Sequence, residues 1–154
     1  MTSSAIQDRY PDAVSYCYGC GRLNPDGLHI RSFRDGDEAV CHFQPRPYHI
    51  AIPGFVYGGL IASLVDCHAM GTAAAAALAD QPPGAEAPRF VTASLKVDYL
   101  RPTSLGPLLE LRGRVVDLTG RKAVVAVTVT VDGVITARGE VVAVRMPDDW
   151  QPAA

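Results

Sequence analysis

The chain has 154 residues, with 14 Lys and Arg against 16 Asp and Glu, and 48% of its residues are hydrophobic. That length suits one domain with a sizeable core, and a net charge of −2 leaves no electrostatic footprint for nucleic acid. Four scattered cysteines do not make a disulfide framework. The polar start from Met1 to Asp12 lacks the basic cap and apolar run of a secretory leader, so the expectation is a cytoplasmic protein.

In chain order, residues 1–16 read as a flexible lead-in, and 17–28 as a compact run of turns rich in Gly, Pro, Asn and Asp. Leu28–Arg34 and Glu38–Gln44 read as strands joined at Asp35-Gly36-Asp37, a hairpin signal, and Pro45 and Pro47 end the pair. From Gly59 to Ala79 the sequence is apolar and free of proline, which predicts one helix of about 20 residues, about 30 Å long. Its length would cross a bilayer, but Ser63, Asp66, His68 and Thr72 interrupt it and no basic cluster flanks it, so the helix is expected inside protein rather than membrane. A loop over 81–88 precedes four strand candidates: Phe90–Leu100, Leu108–Leu118, Lys122–Val131 and Val134–Met146. Gly139 suggests a bulge in the last of these, and the tail 147–154 should be poorly ordered. The order predicts an α+β domain over residues 17–146, a curved antiparallel β-sheet wrapped around one long central helix. The outer face keeps Val116, Val124 and Val142, which predicts a homodimer or a dimer of dimers.

A carboxylate in an apolar helix is costly without a partner or a task, and Asp66 is the acid in question. It lies seven residues beyond Gly59, on nearly the same face, with mostly small neighbours at Ala62, Ser63, Ala69, Met70 and Ala73. Gly58 and Gly59 stand at the helix start, where backbone N–H groups have no intrahelical acceptor and the dipole is positive, a ready holder for an oxyanion. His68 is two residues past Asp66 and about 200° round the helix, so the two cannot form a dyad within one chain. His49, in the preceding loop, can reach the mouth of such a site.

Three motifs extend this reading. Cys17-x-x-Cys20-Gly21-x-x-Asn24-Pro25-x-Gly27-Leu28, then Tyr57-Gly58-Gly59 with Asp66, then Thr92-x-x-Leu95-x-x-x-Tyr99-Leu100-Arg101-Pro102 together resemble the hot-dog acyl-CoA thioesterases of the phenylacetic-acid-pathway type. The resemblance implies that Asp66 acts on the thioester as general base or nucleophile and that the Gly59 N–H holds the oxyanion. It also implies that Thr92, generally from the neighbouring subunit, places the water or the carboxylate. Strand parity conflicts with that last role, because it groups Thr92 with Ser94, Lys96 and Asp98 on the face away from the helix. Tyr57 stands where the family usually has histidine.

The implied activity is hydrolysis of a small or medium acyl-CoA, aromatic ones included, to free acid and CoA. A non-hydrolytic acyl-CoA or acyl-carrier binding protein is the alternative. Expected substrate-binding residues are Tyr57, Gly58, Ser63, Met70 and His49, with Arg121 and Lys122 available to the CoA phosphates. CoA would be part of the substrate and no cofactor is called for. Cys17 and Cys20 are set aside as a metal pair because no second Cys-x-x-Cys or His-x-His completes four ligands.

Overall fold

The computed structural model describes residues 4–150, 152 and 153. Residues 1–3 of the expected lead-in, and 151 and 154 of the expected tail, lie outside that range. Strands β1 (Phe33–Asp35) and β2 (Glu38–Phe43) precede helix α1 (Gly58–Ala77), and β3 (Phe90–Tyr99), β4 (Leu109–Thr119), β5 (Lys122–Val131) and β6 (Val134–Arg145) follow it. All six strands form one sheet in the order β1-β2-β4-β5-β6-β3, with every neighbouring pair antiparallel. This is the expected hot-dog architecture, one sheet curled around one helix. Register shifts at Thr92/Ser94, Val115/Asp117 and Val129/Thr130 mark bulges, which bend strands and increase their twist.

The core lies between the concave face and α1. Along β5 the alternate residues Ala123, Val125, Val127, Val129 and Val131 are buried, and α1 answers with Leu60, Ile61, Leu64, Val65, Ala69, Met70, Ala73 and Ala74. At two points the approach is closer than any side chain would allow. A Cβ on Gly113 would run into the Thr72 side chain, and one on Gly139 would run into Val65 Cγ1. Gly139 therefore marks no bulge, contrary to the sequence expectation. It sits in unbroken register with Val97 and Val127, and it is glycine because the helix touches the strand there.

Two further expectations are corrected. Leu28–Ser32 does not join the sheet, because its backbone is engaged elsewhere: Leu28 N donates to Tyr18 O (2.8 Å), Ile30 N to Gly19 O (2.9 Å), and Ser32 O accepts from Ile6 N (2.8 Å). The first strand shortens accordingly to Phe33–Asp35. The lead-in is also not loose over its described part. Ala5, Ile6, Gln7 and Tyr10 are all buried, so burial of three large side chains holds residues 5–10 to the body.

Candidate active site

Helix α1 runs beside β3, the last strand of the sheet order, and in the opposite direction. The relationship is fixed at both ends by hydrogen bonds from strand side chains. Near the start of β3, Thr92 Oγ1 donates to Asp66 Oδ1 at 2.5 Å. At its end, Tyr99 Oη donates to the Gly58 carbonyl at 2.7 Å. Burial and the nearby Tyr57 phenol push Tyr99 above the usual tyrosine range, which keeps it a donor.

The bulge resolves the parity conflict at Thr92. Before it, Thr92 lies opposite Ala143; after it, Leu95, Val97 and Tyr99 lie opposite Val141, Gly139 and Ala137. Ala143, Val141 and Ala137 are all buried and face the helix. The extra residue, Ala93, thus shifts the alternation by one, and Thr92 shares the helix-facing side with Leu95, Val97 and Tyr99. Sequence alternation alone placed it on the wrong face. The bond to Asp66 also lies within one chain, whereas the resemblance implied a threonine from a neighbouring subunit.

At the head of α1, Leu60 N and Ile61 N both donate to the Tyr57 carbonyl (3.1 and 3.3 Å). That leaves the Gly58 and Gly59 amides as the donors of the first turn unengaged among the described residues. The Tyr57 ring folds back over Gly59, occupying the space a Cβ would need, and remains more than half exposed. Ser63 Oγ donates to the Gly59 carbonyl (2.9 Å), so its hydroxyl is spent on the helix backbone.

The remaining candidates lie apart from this constellation. Met70 is buried in the core cluster. His49 accepts from Arg46 N through Nδ1 (2.9 Å), and its carbonyl accepts from Tyr57 N (3.0 Å), so it braces the loop that leads into the helix. Partial burial, with Arg46 beside it, lowers the His49 pKa. It also lines a cavity of about 500 Å³ with Tyr18, Leu28, Phe43, Arg46 and Tyr48. Arg121 and Lys122 sit at the β4–β5 hairpin, where Arg121 donates to the Met146 carbonyl (2.7 Å). Lys122 lies opposite Val144, one position along from the Ala123–Ala143–Thr92 row. Strand alternation turns it to the outer face, away from Thr92.

His68, which its spacing turns away from Asp66, is a fully buried and hydrogen-bonded interior histidine. Its Nε2 donates to the Ala39 carbonyl (2.9 Å) and its Nδ1 accepts from Ser32 Oγ (2.8 Å). Two features were missed in the sequence. Tyr99 is named within the third motif, but nothing in the sequence assigns its hydroxyl the bond to the Gly58 carbonyl. Cys67 was not joined to Cys17 and Cys20, although the three sulfurs lie within 4.8 Å of one another.

Residues 53–138 match the family model of the thioesterase superfamily. The chain belongs to that superfamily. A thioesterase superfamily protein from Shewanella loihica is 46% identical and superposes with a TM-score of 0.69, covering 88% of this chain and 98% of that one. An acyl-coenzyme A thioesterase THEM4 from Xenopus laevis is 37% identical over 83 residues, which span 54% of this chain and 33% of the relative. The match thus reaches about a third of that relative's length. The protein smu.793 from Streptococcus mutans, solved bound to acetyl CoA, shares the fold at 20% identity and a TM-score of 0.62, over 76% of this chain and 88% of that one. At the level of the superfamily, the resemblance carried by the glycine pair, Asp66 and the Thr92 strand is borne out.

Proposed function

We propose that this protein hydrolyses an acyl-CoA thioester of small or medium acyl chain to the free acid and CoA. The observation that carries the reading is the Thr92–Asp66 hydrogen bond, set on the same helix as two unengaged glycine amides. Thr92 occupies Asp66 Oδ1 and leaves Oδ2 to act. As general base, Oδ2 takes a proton from water as the oxygen attacks the thioester carbonyl carbon. The tetrahedral intermediate places its oxyanion on the Gly59 N–H. The C–S bond then breaks, and the proton passes from Asp66 to the departing CoA sulfur. As nucleophile, the same oxygen attacks directly and water hydrolyses the resulting anhydride. The acyl-CoA character of the substrate is supported by the naming of the Xenopus relative and by the acetyl CoA in the Streptococcus structure.

Spacing adds a condition. Seven residues separate Gly59 from Asp66, about 10 Å along the helix axis, whereas one carbonyl needs both groups within roughly 3 Å. One chain therefore cannot present both to the same thioester. The reading accordingly includes a homodimer, two-fold symmetric, in which Gly59 of one copy faces Asp66 of the other, with the β3 edges as the joining seam. Tyr57, beside Gly59, would then line the acyl site.

Release of free thiol across a panel of acyl-CoAs tests the proposal. Turnover of at least one substrate that vanishes in Asp66→Asn supports it; equal turnover in that variant removes it. Tight acyl-CoA binding without any release points instead to the binding-protein reading.

A further inference from the structure

The three sulfurs of Cys17, Cys20 and Cys67 converge where the N-terminal turns meet the central helix. Convergence is built into the backbone. Gly21 N donates to the Cys17 carbonyl (2.7 Å), closing the Cys-x-x-Cys turn. A Cβ on Gly19 would collide with Cys67 Sγ, so glycine lets the turn seat directly on the helix cysteine. Cys17 and Cys67 sulfurs are 3.9 Å apart. Thiolates about 2.3 Å from a shared tetrahedral ion stand about 3.8 Å apart, and a triangle of three mutually close sulfurs serves one ion better than it serves a disulfide, which uses two.

A second, separate observation points to a ligand. Tyr10 is buried beside the cluster and its hydroxyl has no hydrogen-bond partner among the described residues. Arg89 lies over the Tyr10 ring, 5.1 Å from its centroid, and pairs with no carboxylate among the described residues. A half-buried guanidinium beside three thiols, its Nη1 donating to the Phe90 carbonyl (3.0 Å) and its charge met by no carboxylate among the described residues, calls for negative charge there. Three thiolates around a divalent ion carry a net charge of −1, which Arg89 balances.

We propose that Cys17, Cys20 and Cys67 bind one thiophilic divalent cation of the zinc type, with the Tyr10 hydroxyl as the buried oxygen beside the fourth position. The ion clamps the N-terminal turns onto α1 at the residue after Asp66. Its role is structural, because the cluster lies on a different side of the helix from Thr92. Spacing in the sequence hides the site, since the third sulfur comes from the middle of a helix 47 positions beyond Cys20.

The test uses the full chain, purified without chelator or added metal and then stripped under reducing conditions. Titration with zinc alone, monitored by a competing chromophore, should show one ion per chain. Cobalt should give the thiolate-to-metal charge-transfer absorption. Cys17→Ser, Cys20→Ser and Cys67→Ser should each weaken zinc binding by on the order of 100-fold or more, while Cys41→Ala, at a cysteine outside the cluster, should not. The wild-type titration stands even if a variant fails to fold. A reduced, folded wild-type chain that takes up no zinc overturns the proposal. So does a disulfide between two of the three cysteines recovered from anaerobically purified protein, which would make the cluster a redox pair.

Discussion

Thr92 and Asp66 meet across the groove between the edge strand and the central helix, hydroxyl to carboxylate at 2.5 Å. The bond exists because one bulge turns Thr92 inward. A hydrogen bond to a charged group is worth about 1.5–3 kcal/mol, so Thr92→Val should lower kcat by about 10- to 100-fold with little change in KM. Asp66→Asn should lose at least about 100-fold. Steady-state kinetics on both variants measure this, and an unimpaired Thr92→Val would deny the hydroxyl a part in turnover.

The divided site makes a complementation prediction. Gly59→Pro, made together with Tyr57→Ala because the Tyr57 ring fills the space a Cβ at this position needs, removes the proposed oxyanion donor at a first-turn position of the helix. Alone it should be inactive, as should Asp66→Asn. Equal amounts of the two, unfolded and refolded together, should recover about a quarter of wild-type activity. Half the dimers are then mixed, and one of each mixed dimer's two sites is intact. No recovery would overturn the divided site.

His68 should make stability depend on acid. Burial pushes its imidazole down to about 4, against an ordinary value of 6.5. Between those values the unfolded chain binds the proton and the folded chain does not. Stability is therefore fully present above about pH 6.5, falls as pH drops toward 4, and loses on the order of 3 kcal/mol from this group. Thermal unfolding from pH 7.5 to 4 should show the fall, and His68→Gln should flatten that part of the curve.

The lead-in should prove part of the folded body. Ile6 is buried against the core, and Gln7 bonds Ser32 twice, through its carbonyl to the amide (2.8 Å) and through its amide to the hydroxyl (3.3 Å). Ile6→Ala should cost about 2–5 kcal/mol. Urea unfolding midpoints decide it, and a change within error would mean that this segment packs only weakly.

Much of this fold could be read from the chain before any coordinates. Alternation in β4 and β5, the Asp-Gly turn and the proline-free alanine run each carry a local signal that packing reinforces. What escaped were effects of contact between distant segments. Leu28–Ser32 has a strand's composition, but Tyr18, Gly19 and Ile6 claim its backbone groups. Gly139 looks like a bulge in sequence because only the helix pressing on it explains the missing side chain. The bulge at Thr92/Ser94 has no glycine to announce it, so the face of Thr92 could not be counted out by twos. Asp66 and Gly59 were legible as a pair on one helix face; Tyr99 and Cys67 needed the fold to give them neighbours.

Gly113→Ala and Gly139→Ala should each cost about 1–3 kcal/mol by overpacking, measured by chemical denaturation, whereas Gly84→Ala, in an open loop with nothing near, would be penalised only through its positive φ. The two core glycines also act as sockets. Val65 seats in one and Thr72 in the other, two turns apart on the same side of the rod, so it can neither roll nor slip lengthwise without driving a side chain into strand backbone. Asp66 follows Val65 directly, which means the compass bearing of the carboxylate is set from behind, by two missing methyl groups on strands it never touches.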